Sequence, residues 1–159
     1  VALNSASPWS AIVGGRITRA QLRFARESFE NEPTLGGRVL VIHHHFICKS
    51  TGGGGRPLPA APGILKHIEE MGVDVVLSGH LHRMQVAMSR DLLPGEGSGV
   101  PLITAGTATS RRGRGKERGE NSVNVLRVGT KTIEVIPHWF ERDRSGFMAR
   151  EPITIRRME

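Results

Sequence analysis

Two short apolar runs constrain this chain more than anything else in it. "RVLVI", residues 38 to 42, and "VDVVL", residues 73 to 77, are too short for helices and too continuously apolar for strands with one wet face. Runs of this kind belong to strands covered on both sides. Between them lies one amphipathic segment, from about Pro62 to Met71. It carries Ile64, Leu65, Ile68 and Met71 on one side, a proline near its start and Gly72 as its stop. Strand, helix and strand in that order predict a parallel crossover unit in an α/β sheet.

Both runs end in histidine. The first passes into His43, His44 and His45, and the second, through Ser78 and Gly79, into His80 and His82. Ligands of open α/β sheets gather at the carboxyl ends of parallel strands, so a crossover sets the two histidine groups side by side. Residues two apart in an extended chain share a face, which would aim His80 and His82 into one site. Gly79 would give the sharp turn that brings His80 close to an ion. Taken singly, the three histidines read as a hydrogen-bonded polar loop, and "GHLH" leaves loop and ligand evenly balanced. Together, at the ends of neighbouring strands, they point to a metal site. His67, among charged residues of the second helix, and His138, before a tryptophan, are assigned to structure.

The rest of the chain fits one α/β domain. Residues 1 to 4 read as an opening strand. Thr18 with Gln21 forms a capping box for a helix over 19 to 30, whose apolar stripe is Leu22, Ala25 and Phe29. Residues 49 to 60, with four consecutive glycines, read as a mobile loop. "VPLITA" (100 to 105), "SVNVLRV" (122 to 128) and "TIEVIPHWF" (132 to 140) read as strands, the last two as an antiparallel hairpin through Gly129 and Thr130. The final dozen residues offer no recognisable chemistry. At 159 residues the length suits a single domain.

Composition excludes several classes. The single cysteine, Cys48, rules out an internal disulfide framework and suits a reducing, cytoplasmic setting. No apolar run approaches the roughly 20 residues of a membrane span, so no membrane partner is expected. Val1 already lies in a strand, so the natural product is expected to extend upstream. Net charge is +7, and "RRGRGKER" at 111 to 118 sets five basic side chains against Glu117 alone. Arg111, Arg112 and Arg114 could fork onto phosphate oxygens if this segment folds over the site; a solvated loop is the plainer reading.

"RVLVIHHHF", "GVDVVLSGHLHR" and "LITAGTATSRRGRG…NSVNVLRV", in that order, resemble the C-terminal half of the calcineurin-like metallophosphoesterases, especially bacterial members similar to cyclic nucleotide phosphodiesterases. "VALNSA…GRITRAQLRF" resembles the segment preceding the histidine motif in them, so the likeness covers residues 1 to about 147. It implies half of a layered α/β/β/α sandwich with mixed β-sheets. It also implies two divalent metal ions, Mn, Fe or Zn, and a metal-activated hydroxide that cleaves a phosphate monoester or diester such as a cyclic nucleotide. By the same likeness His43 and His80 would bind one metal and His82 the other. His44 and Arg111 would face the phosphate ester substrate, and His45 stands where the family has proline.

The family's remaining ligands come from an N-terminal half with Asp-x-His, Gly-Asp and Gly-Asn-His motifs. None occurs here: the aspartates are Asp74, Asp91 and Asp143, none in such a setting. The likeness therefore implies a partial domain, residues 1 to 159, whose first partner is its own N-terminal half. The apolar face left uncovered would drive homo-oligomerisation. The alternative is a basic nucleic-acid-binding module with at most a structural metal. The loop from 106 to 120 holds no aromatic residue on which a base could stack.

Overall fold

A computed structural model of the protein describes residues 1–6, 14–32, 36–47, 56–93 and 99–157. Cys48 and the glycine run expected to form a loop lie outside the described residues.

The sequence makes two sheets. The first takes β1 (Ala2–Leu3), β2 (Val39–Ile42), β3 (Val75–Ser78), β4 (Gln85–Met88) and β5 (Pro101–Thr104), in the order β1-β2-β3-β5-β4. All neighbours are parallel except β4, which runs antiparallel along the edge of β5. The second sheet takes β6 (Ser122–Val128), β7 (Thr132–Glu141), β8 (Gly146–Ala149) and β9 (Ile153–Arg156), and is antiparallel throughout. Two helices, α1 (Arg19–Asn31) and α2 (Ala61–Glu70), complete the described elements apart from short 3₁₀ turns.

The continuous apolar runs have the reason that was anticipated. Successive side chains of a strand alternate between faces, and both faces are covered along β3 and β5, whereas on β2 the second face is left open at Val41, which is 43% exposed. Leu40, Ile42, Val76 and Leu102 point to one side, where Ala25 and Phe29 of α1 and Ile64, Leu65 and Ile68 of α2 close over them. Val75 and Ile103 point to the other, against Ile133 and Val135 of β7, with Val39, Leu77 and Leu126 at the margin. The described layers are therefore helix, mixed sheet, antiparallel sheet: an α/β fold with two sheets.

The local signals hold as well. Thr18 accepts from the Gln21 amide while Gln21 Oε1 accepts from the Thr18 amide, so both halves of the capping box are made. Gly72 follows α2 with φ +63°, the left-handed conformation that favours glycine at this position. Three strands were not anticipated. β4 has only four residues after the histidines, and β8 and β9 pair end to end along one edge of β7. Arg157 joins the two sheets at the end away from the histidines: its guanidinium contacts Asp74 Oδ1 at 2.8 and 3.1 Å, while Asp74 Oδ2 accepts the Arg38 amide at 2.7 Å.

Candidate metal centre

Parallel pairing of β2 with β3, Val41 opposite Leu77, brings the chain segments that follow the two strands together. The Gly79 amide donates to the His43 carbonyl at 3.0 Å, and this bond fixes the relative height of the two histidine segments. His80 Nδ1 then faces His43 Nε2 at 3.3 Å. His44 joins them, its ring centroid 4.7 Å from that of His80 and 5.0 Å from that of His43. The three residues each offer a ring nitrogen, all within 4.8 Å of one another. It is the one such group of three among the described residues, and it holds no carboxylate.

Each ring is held from behind. Ser5, fully buried just past β1, accepts the His44 amide on Oγ at 3.1 Å and meets His44 Nδ1 at 2.8 Å. The bond of Nδ1 to Ser5 makes Nε2 the atom of His44 that would ligate an ion. A proton on Nδ1, donated to Ser5, puts the lone pair there. Gly15, at φ +60°, lies so close to His44 that a Cβ at that position would overlap the ring. His45 is buried and its ring stacks on His80, with centroids 5.7 Å apart and planes 18° from parallel. Neither Ser5 nor Gly15 was singled out in the sequence. The signal was only their place in "LNSA" and "VGGR", and the contacts that matter span 39 and 29 residues.

The turn after β3 differs from expectation. Gly79 does not take the left-handed conformation; His80, with φ 65°, and His82, with φ 55°, do. A side chain in that conformation costs about 1–2 kcal/mol per residue, so two such histidines store strain beside the cluster. β3 ends at Ser78, and the two histidines are therefore not in an extended chain. His80 enters the group of three and His82 does not, although Nδ1 of His82 is buried without a hydrogen-bond partner among the described residues.

Electrostatics favour neutral rings. Burial lowers the His80 pKa below its ordinary value, with cationic repulsion from His44, His43, Arg114 and His82 adding to it. His82 is lowered as well, first by burial and then by Arg114, Arg112 and His43. A neutral imidazole is the form that binds a metal. Arg112 and Arg114 are thus the arginines of the basic segment whose charge reaches the histidines, while Arg111 is exposed at its start. His67 pairs with Glu70 at 3.3 Å and His138 with the Ile136 carbonyl at 3.0 Å, away from the cluster.

No family model matches the chain, and no curated protein matches it. Among solved structures, Vps29 of Chaetomium thermophilum is similar over 60% of this chain and 48% of its own, with 16% identity and a TM-score of 0.39. The chain thus spans about half the length of that protein. A double mutant of Entamoeba histolytica Vps29 is similar over 87% of this chain and 90% of its own, with 12% identity and a TM-score of 0.41. Wild-type E. histolytica Vps29 complexed with zinc covers 96% and 97%, with 9% identity and a TM-score of 0.41.

No helix among the described residues is long and apolar enough to cross a membrane.

Proposed function

We propose that this chain is the C-terminal part of a metal-dependent phosphoesterase of the calcineurin-like type, acting on a phosphate monoester or diester. The observation that carries the reading is the convergence of His43, His44 and His80 from the ends of two adjacent parallel strands, with donor atoms within 4.8 Å.

The donor set fits a divalent ion. Its nitrogens are imidazole nitrogens, the ligands that suit Zn or Fe, while Mn would lean on carboxylates from an N-terminal half, and burial lowers the His80 pKa, which favours the neutral form that can ligate. Three protein ligands leave room for water and substrate, as in catalytic rather than structural sites. A bound ion supplies Lewis acidity toward a phosphoryl oxygen and lowers the pKa of water to near neutrality. His82 is assigned to a second ion, whose carboxylate ligands would come from an N-terminal half of the same domain. Ser5 orients His44, His45 backs His80, and the guanidinium forks of Arg112 and Arg114 neutralise the phosphoryl charge. The reading retains Arg111 as a substrate contact of lesser weight, because its two neighbours are the ones that act on the histidines.

The test begins with metal. Zn²⁺ or Mn²⁺ titrated into the chain should bind with one strong equivalent and raise the melting temperature, and His80→Ala or His43→Ala should abolish both effects. Bis-p-nitrophenyl phosphate with Mn²⁺ then reads turnover, for this chain and for the chain extended into its upstream sequence. Metal binding that is indifferent to His43 and His80 would sink the proposal. Steeply salt-dependent nucleic-acid binding without ester turnover would favour a binding module instead.

A further inference from the structure

The basic segment contains one acid, and that acid is inside. Glu117 is 7% exposed and is the one buried carboxylate among the described residues, whereas Arg111, Arg112, Arg114, Lys116 and Arg118 around it are all exposed. Burying a carboxylate is costly unless hydrogen bonds replace its water. Glu117 has such bonds. Oε1 accepts the Met84 amide at 2.5 Å and Oε2 accepts the Ser122 hydroxyl at 3.0 Å.

The fold makes room for it. Gly106 approaches so closely that a Cβ there would stand 2.5 Å from Oε2, and a Cβ on Gly113 would overlap the Glu117 carbonyl. The 3₁₀ turn Gly115–Glu117 closes on the Arg114 carbonyl through the Glu117 amide, at 3.2 Å. The same Arg114 donates its own amide to the His82 carbonyl at 3.0 Å. The segment is therefore gripped twice: from within by Glu117, which ties it to the starts of β4 and β6, and at its rim by His82. A freely solvated run of arginines would need neither grip.

We propose that Glu117 is a positioning residue that holds Arg112 and Arg114 beside His82 as an anion-binding arm, which takes the non-reacting oxygens of a phosphoryl group. With Glu117 turned inward, the outer face of the arm is cationic, and guanidinium forks match phosphoryl oxygens in geometry as well as charge. This deepens the phosphoesterase reading and rests on it for the identity of the substrate.

The test separates the two. Inorganic phosphate is titrated into the full chain in the presence of a chelator, for wild type, Arg114→Ala, Glu117→Ala, Glu117→Gln and the Arg114→Ala/Glu117→Ala double variant. Arg127→Ala serves as a control for loss of one surface charge. Expected are a roughly tenfold loss of affinity in Arg114→Ala, a similar loss in Glu117→Ala, no further loss in the double variant, and partial rescue by Glu117→Gln, whose amide oxygen can still accept from Met84. Where bis-p-nitrophenyl phosphate is turned over with Mn²⁺, KM should rise in these variants with kcat little changed.

Phosphate affinity and KM untouched in folded Glu117→Ala would overturn the proposal while leaving the phosphoesterase reading intact. So would losses that add independently in the double variant. Phosphate binding that depends on Arg114 and Glu117 in a chain with no turnover would uphold the arm and count against the esterase. Should Glu117→Ala not fold, Ser122→Ala, which removes the partner of Oε2, carries the same comparison.

Discussion

Two adjacent glycines should respond in opposite ways to the same added methyl group. At Gly15 a Cβ would stand 2.5 Å from His44 Nδ1 and 2.9 Å from His44 Cβ, and φ is +60°. At Gly14 an added Cβ would meet no atom of the described residues within 4 Å beyond the adjoining chain, and the backbone is not left-handed. For Gly15→Ala the left-handed conformation costs about 1–2 kcal/mol. The ring of His44 must also move by about an ångström to reach ordinary contact, which breaks its 2.8 Å bond to Ser5. Ser5 keeps the His44 amide, but His44 is buried, and a buried ring nitrogen that loses its hydrogen bond costs about 1–3 kcal/mol. The sum is about 2–5 kcal/mol, which for a chain of this size lowers the melting temperature on the order of 10 °C. Gly14→Ala should be neutral or raise stability by up to about 1 kcal/mol, through the unfolded chain alone. Thermal and urea unfolding of both variants reads the difference, and the histidine side-chain resonances report whether His44 has moved. Equal stabilities, with His44 resonances unchanged in Gly15→Ala, would refute the account of how the ring is held.

Acid should destabilise the fold through the same rings. The folded-state pKa values of His80 and His82 lie below the unfolded value of about 6.5, so the unfolded chain binds more protons as pH falls through that value. Stability is then level above about pH 7 and falls as pH drops below about 6.5. The urea midpoint should decline from pH 7.5 to pH 5, and His80→Asn should flatten that decline; an unchanged slope in the variant would contradict it. Asp74→Ala removes both contacts to Arg157 and the acceptor of the Arg38 amide, at a cost of about 2–3 kcal/mol in urea unfolding. Glu134→Gln, which breaks the exposed pair with Arg127, should cost less than about 0.5 kcal/mol, and equal effects would show that the sheet-joining role of Asp74 is overstated.

Much of the fold could be read along the chain because its signals are local. The capping box at Thr18, the stop at Gly72 and the apolar runs of β2, β3 and β5 depend on residues near one another in sequence. The crossover rule then placed the first two of those strands in parallel. β4, β8 and β9 escaped because they are four-residue edge pieces. Four residues are too few to carry a periodic signal, and these pieces pair along the edges that β5 and β7 offer.

The site divides along the same line. Residue type and strand order were enough to bring His43 and His80 to neighbouring strand ends, since that follows from chain direction and parallel pairing. Only the tertiary structure decided that His44 and not His82 completes the group. The reason is conformational: His80 and His82 are left-handed, so the same-face rule for an extended chain does not apply to them. Only the tertiary structure, too, supplied Ser5, Gly15 and the inward Glu117. Each acts through contacts between segments that are distant in sequence or that close only when the two sheets are in place, and a linear pattern of residue types does not encode such contacts.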